Sequence, residues 1–166
     1  MKEIDTEINI SEMIVGYAQF ISTWTYDGIY SFYNHSKDFA DECMDGNHFA
    51  FTGKDGELLG YFCFGTEARI PTTENNVYDD DFLDMGLHIK PDLCGKKLGI
   101  LFINACLEFA QEKYGTNRFQ ATVASFNERA KMLCAKAGFY VEPEVTHHVG
   151  SILKIGHKFC DYSWGS

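Results

Sequence analysis

The fold of this chain is decided by three segments, DMGLHIKP at residues 84–91, DLCGKKLG at 92–99 and NERAKMLCAKAGF at 127–139. The first segment is mainly apolar and ends at a proline, which is typical of a strand. The second places two glycines before apolar residues with a 3.6-residue period, which predicts a long helix. In the third, Asn127 is a suitable N-cap and Gly138 a suitable C-cap of a shorter helix.

The rest of the chain adds strands to these elements. HFAFTG and ELLGYFCFG flank the turn Lys54-Asp55-Gly56, which predicts a β-hairpin. An alternating segment at 119–123 predicts a strand, and residues 139–159 predict two more. We therefore expect one α/β domain over residues 1–166, with a mixed sheet and helices on both of its faces.

The N-terminal residues predict a short strand followed by a helix. Ser11 is a plausible N-cap, and Ile14, Tyr17, Ile21 and Trp24 recur at helical spacing. We therefore expect the first helix to follow Ser11 directly.

The composition excludes several classes of protein. An apolar fraction of 45% suits a packed globular chain of 166 residues. No run of about 18 apolar residues is present and the first ten residues are polar, so we expect a cytoplasmic protein without a membrane partner. The formal net charge of −10 would repel nucleic acid and favours a cationic partner.

Cysteine and histidine spacing indicates neither a disulfide framework nor a metal site. The six cysteines are widely spaced and include no CxxC pair, so reduced thiols are expected, although a disulfide-bonded secreted binding protein is a remaining alternative. His147 and His148 are adjacent, and their side chains would point to opposite faces of a strand. We therefore expect no bound metal.

The turn between the first strand and the long helix could bind a small anion. A helix N-terminus exposes unpaired N–H groups, and glycines let phosphate oxygens approach the backbone. Gly95 and Gly99 meet that need, and residues 90–97 hold three lysines against one aspartate. A turn with two glycines before a helix is nevertheless common, so the pattern alone does not decide.

Two longer segments carry a family resemblance. GLHIKPDLCGKKLG and TVASFNERAKMLCAKAGF are similar to the GLxxxPDLxGxGxG and TVAxFNxRAxxxYxxxGF patterns of a RimJ/RimL-like branch of the GNAT (Gcn5-related) N-acetyltransferases. The resemblance implies a mostly antiparallel sheet that splays at two parallel strands. It also implies acetyl-CoA as acyl donor and a primary amine as acceptor, with direct transfer in a ternary complex.

The same resemblance implies where acetyl-CoA binds. The backbone of the central strand would line the pantetheine arm, and the turn would hold the pyrophosphate; the residues concerned are Leu87, His88 and Ile89 in the strand, Cys94, Gly95, Lys96, Lys97, Leu98 and Gly99 in the turn, and Asn127 and Ala130 in the following helix. Lys97 replaces the usual glycine. We expect binding to be retained, because a helical conformation tolerates lysine, or because a lysine ammonium contacts a phosphate.

Two residues are implied in the chemistry. Cys134 stands where the family has a tyrosine that protonates the departing thiolate; it could donate a proton, leave that role to water, or be only a small apolar residue. A covalent acyl-cysteine is the weakest alternative, since no paired base is evident. Asp84 stands where RimJ-like relatives often have glutamate, so it could accept the amine's proton directly or through water.

The acceptor side is expected in the aromatic N-terminal third, where cation–π contact or burial could hold an amine. The residues are Trp24, Tyr26, Tyr30 and Tyr33. Core packing is the alternative for each of them. The acceptor could be a small molecule, a peptide or a protein N-terminus, and the C-terminal strands could form a homodimer. A catalytically weak acyl-CoA-binding or regulatory module is the alternative function.

Overall fold

The computed structural model describes residues 7–70, 78–147 and 150–159. Its strands and α-helices follow in the order β1 (Asn9–Glu12), α1 (Val15–Ile21), α2 (Phe39–Glu42), β2 (His48–Thr52), β3 (Leu58–Phe64), β4 (Leu83–Ile89), α3 (Gly99–Tyr114), β5 (Arg118–Ala124), α4 (Glu128–Lys136), β6 (Val141–His147) and β7 (Gly150–Phe159). Short 3₁₀ helices occupy Gly28–Tyr33, Thr66–Ala68 and Pro91–Leu93. His148 and Cys160 lie outside the described residues; the five described cysteines form no disulfide with one another.

The chain divides into two compact units. Among the described residues, the first unit contains those up to Cys63 together with Leu87–Leu98, and the second contains those within Phe64–Gly86 and those from Gly99 to Phe159. Strands β3 and β4 each contribute residues to both units. The expectation of one domain stays a prediction.

The first unit is built on antiparallel strands. β1 pairs with β2, and β2 pairs with β3 through the predicted hairpin, in which the Gly53 N–H donates to the Glu57 carbonyl at 2.8 Å. At the end of β4, the Lys90 N–H donates to the Leu59 carbonyl of β3 at 2.9 Å. Apolar side chains fill a core beneath these strands, formed by Met13, Ala18, Ile21, Trp24, Phe39, Cys43, Ala50, Leu58 and Tyr61.

The second unit contains the parallel strand pair. The first residues of β4 pair in parallel with β5, from Leu83 opposite Phe119 to Met85 opposite Ala121. β5 then pairs antiparallel with β7, and β7 with β6. The predicted α/β class with a mixed, mostly antiparallel sheet is confirmed, and the two C-terminal strands are where they were expected.

Local sequence signals fix both ends of α4. The Asn127 side chain accepts a hydrogen bond from the Ala130 N–H at 3.1 Å, as an N-cap does. At the other end Gly138 has a φ of 95°, and the Phe139 N–H donates to the Cys134 carbonyl at 2.9 Å. These are the features of a Schellman motif, so both predicted caps are confirmed.

The predicted start of α1 is wrong. Ser11 lies in β1 opposite Ala50 of β2, and the N-cap of α1 is Ile14, without a side-chain cap. Ladder pairing with β2 takes precedence over the capping tendency of serine. Within the described part of the chain, no helix combines the length and apolarity that crossing a bilayer requires.

Candidate active site

The end of β4 and the turn that follows it lie together in the first unit. Leu87, His88 and Ile89 are half-buried, and the 3₁₀ helix Pro91–Leu93 leads from them to the turn. The Cys94 thiol lies 3.6 Å from the Ile89 carbonyl oxygen, so it packs back against the strand. Gly95, Lys96 and Lys97 are exposed and Leu98 is half-buried. The structure thus brings the predicted arm-lining strand and most of the predicted phosphate turn into one unit.

The turn has an unusual backbone at Lys97. Its φ is 60°, and among the described residues no other non-glycine residue has a positive φ. Gly95, two residues earlier, has a φ of 77°. The expectation that lysine is tolerated here because the backbone is conventionally helical is therefore wrong. The left-handed conformation costs an L-residue about 1 kcal/mol, and glycine adopts it without strain.

Gly99 has a packing role that its motif does not reveal. It is the first residue of α3, and a Cβ atom built on it would lie 2.9 Å from the Cδ2 atom of Leu133 in α4. The absence of a side chain therefore lets the start of α3 approach α4 closely. This contact joins residues distant in sequence, so the sequence held no signal for it.

Asn127 and Ala130 lie in the second unit and are joined by the capping hydrogen bond described above. The capping role of Asn127, which the sequence left beside a cofactor role, is therefore present in the structure. Ala130 is half-buried and supplies the capped N–H group. Their contact with acetyl-CoA stays a prediction.

Cys134 lies on the inner face of α4 with only 6% of its surface exposed. Burial raises the pKa of its thiol to about 12. Proton transfer from such a thiol to a CoA thiolate, whose conjugate thiol has a pKa of about 8.5, would run uphill. The geometry therefore favours a packing role over proton donation, and the catalytic role stays a prediction.

Asp84 is paired with a cation that the sequence reasoning missed. Its carboxylate, 5% exposed, accepts a hydrogen bond from Arg69 Nε at 2.7 Å, and Arg69 also contacts the exposed Asp80 at 3.2 Å. The Arg69 guanidinium lies 4.8 Å from the centre of the Tyr78 ring. Burial opposes the charge on Arg69, but the hydrogen bonds to Asp84 and Asp80 outweigh it and raise the Arg69 pKa.

A signal for Arg69 was present in the sequence. It is the only lysine or arginine between Lys54 and Lys90, and it precedes the acidic residues that lead into β4. An isolated cation near several carboxylates is a natural ion-pair partner for one of them.

The predicted acceptor aromatics have different surroundings. Trp24 is 5% exposed and packs in the core of the first unit. The Tyr26 hydroxyl donates to the Ile89 carbonyl at 2.9 Å, and the Tyr33 ring meets the His88 ring edge-on at 6.2 Å. Tyr30 is half-buried in the intervening 3₁₀ helix. Tyr26 and Tyr33 therefore lie against the end of β4, whereas Trp24 is a core residue.

An imidazole cluster, formed by His35, His48, His88 and Tyr61, was not predicted. The Tyr61 and His88 rings stack in parallel with centroids 4.5 Å apart, and His35 and His48 lie 5.6 and 6.2 Å from Tyr61. Burial lowers the pKa of His88 to about 3, with contributions from His35 and His48, and burial lowers that of His35 to about 4. Both imidazoles are therefore neutral at physiological pH. The His88 side chain is packed against the rings of Tyr61 and His35.

Comparison with known proteins supplies the class. Residues 17–139 match the sequence model of the Acetyltransferase (GNAT) family. No curated protein matches the chain. The fold and this match together define an acetyltransferase enzyme. The chain belongs to the Acetyltransferase (GNAT) family.

Solved structures agree with that fold at low sequence identity. An acetyltransferase of the GNAT family from Bacillus anthracis has a TM-score of 0.70 and 14% identity, over 92% of this chain and 94% of its own. Aminoglycoside acetyltransferase AAC(6')-Ib, in complex with coenzyme A and kanamycin, has a TM-score of 0.71 and 15% identity, over 92% and 95%. A chimera of spermidine N-acetyltransferase SpeG from Vibrio cholerae and hSSAT has a TM-score of 0.67 and 16% identity, over 92% and 95%.

Proposed function

We propose that this protein is an N-acetyltransferase that transfers the acetyl group of acetyl-CoA to a primary amine by direct attack in a ternary complex. The observation that carries the proposal is the family match over residues 17–139, which includes β4, the turn and α4. The motif resemblance supports assignment to the RimJ/RimL-like branch. A neighbour of the same fold that holds coenzyme A supports the choice of donor.

Donor binding fits the end of β4 and the turn. Leu87, His88 and Ile89 are the proposed backbone contacts of the pantetheine arm. The turn has left-handed residues at Gly95 and Lys97, and it is followed by the first N–H groups of α3, which favour anions. The exposed backbone N–H groups of the turn and the ammonium groups of Lys96 and Lys97 can donate hydrogen bonds to phosphate oxygens. Cys94, Leu98, Gly99, Asn127 and Ala130 complete the proposed set.

In the proposed reaction, the amine nitrogen attacks the carbonyl carbon of the thioester. The acceptor ammonium first loses one proton to Asp84 or to a water beside it; the C–N bond then forms, the C–S bond breaks, and the nitrogen loses its second proton to water. An N–H of the central strand stabilises the oxyanion, a contribution of about 3 kcal/mol in comparable sites. The thiolate leaves without prior protonation or takes a proton from water, because the raised pKa of Cys134 makes that thiol a poor donor.

The acceptor is proposed to be a cation in solution. The chain carries a net charge of −10, which attracts cations, and Tyr30 and Tyr33 remain aromatic candidates for its contact surface. Small molecules, peptides and protein N-termini all present suitable amines. We further propose that the protein works in the cytoplasm and pairs through its C-terminal strands as a homodimer.

A thiol-release assay with acetyl-CoA and a panel of amines tests the activity, and calorimetry with acetyl-CoA tests donor binding. We expect micromolar or tighter binding and thiol release only when an amine is present. Failure of acetyl-CoA to bind would overturn the proposal. Binding without turnover on any amine would favour the regulatory module, which the departures at Lys97 and Cys134 support.

A further inference from the structure

Tyr26 joins a loop to the end of β4. We call residues 25–34 the Tyr26 loop; it contains the 3₁₀ helix Gly28–Tyr33. The Tyr26 N–H donates to Asn34 Oδ1 at 2.7 Å, which ties the two ends of the loop together. The Tyr26 hydroxyl donates to the Ile89 carbonyl at 2.9 Å. One residue therefore closes the loop and attaches it to the strand.

The Ile89 carbonyl, which accepts the hydrogen bond from Tyr26, lies where the strand end, the turn and the loop meet. Ile89 is the last residue of β4, and the next residue, Lys90, is fixed to β3 by its N–H bond to Leu59 at 2.9 Å. The Cys94 thiol approaches the same Ile89 oxygen to 3.6 Å from the start of the turn. Strand end, turn and Tyr26 loop thus meet at a single oxygen atom.

The hydroxyl of Tyr26 keeps its proton under all ordinary conditions. Burial, with a smaller contribution from Cys94, raises the pKa of Tyr26 well above its usual value. The phenol can only donate the one proton, and that proton is directed at Ile89. The hydroxyl is therefore engaged in a hydrogen bond to β4. This role differs from the contact with the amine substrate that the sequence suggested for Tyr26.

We propose that Tyr26 is a positioning residue that couples the donor strand to the Tyr26 loop. The inference rests on the proposed function, because it takes the end of β4 and the turn as the binding site of acetyl-CoA. When acetyl-CoA binds to the end of β4 and the turn, it restricts the motion of the Ile89 carbonyl. The hydrogen bond from Tyr26 to that carbonyl then restricts the loop that carries Tyr30 and Tyr33. Donor binding thereby orders the Tyr26 loop, and by reciprocity an ordered loop strengthens donor binding.

The test compares Tyr26→Phe with Tyr17→Phe. The first variant removes only the hydroxyl; the control removes that of a half-buried tyrosine packed on the same core, for which no hydroxyl hydrogen bond is described. Calorimetry with acetyl-CoA measures affinity, and amide hydrogen exchange measures protection of residues 25–34 with and without acetyl-CoA. In the wild type and in Tyr17→Phe, acetyl-CoA should slow exchange in this loop. In Tyr26→Phe the added protection should disappear, and the affinity should fall by about threefold to tenfold.

Equal affinity and equal donor-induced protection in Tyr26→Phe and the wild type would overturn the coupling and leave the proposed function intact. Absence of acetyl-CoA binding to the wild type would instead overturn the proposed function, and the inference with it. If Tyr26→Phe does not fold, Asn34→Ala, at an exposed position, removes the hydrogen bond through which the end of the loop is tied to Tyr26. It should lose the same donor-induced protection, and full retention would contradict the coupling.

Discussion

The buried carboxylate of Asp84 lies 2.7 Å from the Nε atom of Arg69. The guanidinium stabilises the charged carboxylate, which is the form that a base requires. Asp84 is therefore at once the proposed proton acceptor and one half of a structural ion pair. Variants at the two positions separate these roles.

Asp84→Asn should lower turnover by about 100-fold or more, since asparagine cannot accept the amine's proton. The amide oxygen can still accept the hydrogen bond from Arg69, so the fold should survive. Calorimetry should show unchanged acetyl-CoA affinity. An Asp84→Asn enzyme with full turnover would leave Asp84 with the structural role alone.

Arg69→Met should destabilise the protein by about 2–4 kcal/mol, because it leaves the Asp84 carboxylate buried without its cation. Urea denaturation measures the change. Asp80→Asn is the matched control, since Asp80 bonds the same guanidinium from an exposed position and should change stability very little. Similar losses in both variants would contradict the importance of the buried pair.

Lys97→Gly should stabilise the protein by up to about 1 kcal/mol, because glycine relieves the left-handed backbone at this position. Acetyl-CoA affinity should change by less than about tenfold. Lys96→Gly serves as control, since Lys96 is not among the residues with positive φ, and it should be neutral or destabilising. Thermal unfolding and calorimetry measure the two effects. Tight acetyl-CoA binding in Lys97→Gly and none in the wild type would contradict retained binding.

The imidazole cluster should make stability depend on pH. The native pKa values of His35 and His88, about 4 and about 3, lie below the usual 6.5. Below pH 6.5 the unfolded chain therefore binds protons that the native state does not, and stability falls as the pH decreases. The loss should reach about 1 kcal/mol per histidine at pH 5.5 relative to pH 7.5. Urea titrations measure it, and His35→Gln should show a smaller loss; equal stability at both pH values would be inconsistent with neutral burial.

Gly99→Ala should cost at most about 1 kcal/mol, because its methyl group would meet the end of the half-buried Leu133 side chain, which can shift. Leu133→Ala makes room for that group, so the double variant should lose less stability than the sum of the single variants. Urea denaturation of the four proteins in this cycle measures the coupling. Strict additivity would show that the two positions do not meet.

Local chemistry made part of this fold predictable. The caps Asn127 and Gly138 and the hairpin at Lys54-Asp55-Gly56 depend on residues within a few positions of each other, so the sequence contains their cause. Ser11 was misassigned because its role depends on a strand about 40 residues away. The pairing of a short edge strand outweighed a local capping preference.

The contacts around the proposed site could not be predicted from the sequence, because they join residues that are far apart along the chain. Arg69 reaches Asp84 across 15 positions, and Tyr26 reaches Ile89 across 63. The path of the turn gives Lys97 a positive φ, although an L-residue such as lysine prefers a negative one. The motif indicated which residues form the turn. Which of their atoms make hydrogen bonds or contacts within the protein depends on three-dimensional packing.

Trp24 can serve as a spectroscopic probe of the core of the first unit. Its indole is 5% exposed and lies 6.3 Å from the Tyr61 ring, inside the core of the first unit. Only one other tryptophan occurs in the sequence, Trp164. In a Trp164→Phe background, intrinsic fluorescence would come from a single buried indole, with energy transfer from a tyrosine of the imidazole cluster. The Trp164→Phe variant therefore carries an optical reporter of the core beside the Tyr26 loop.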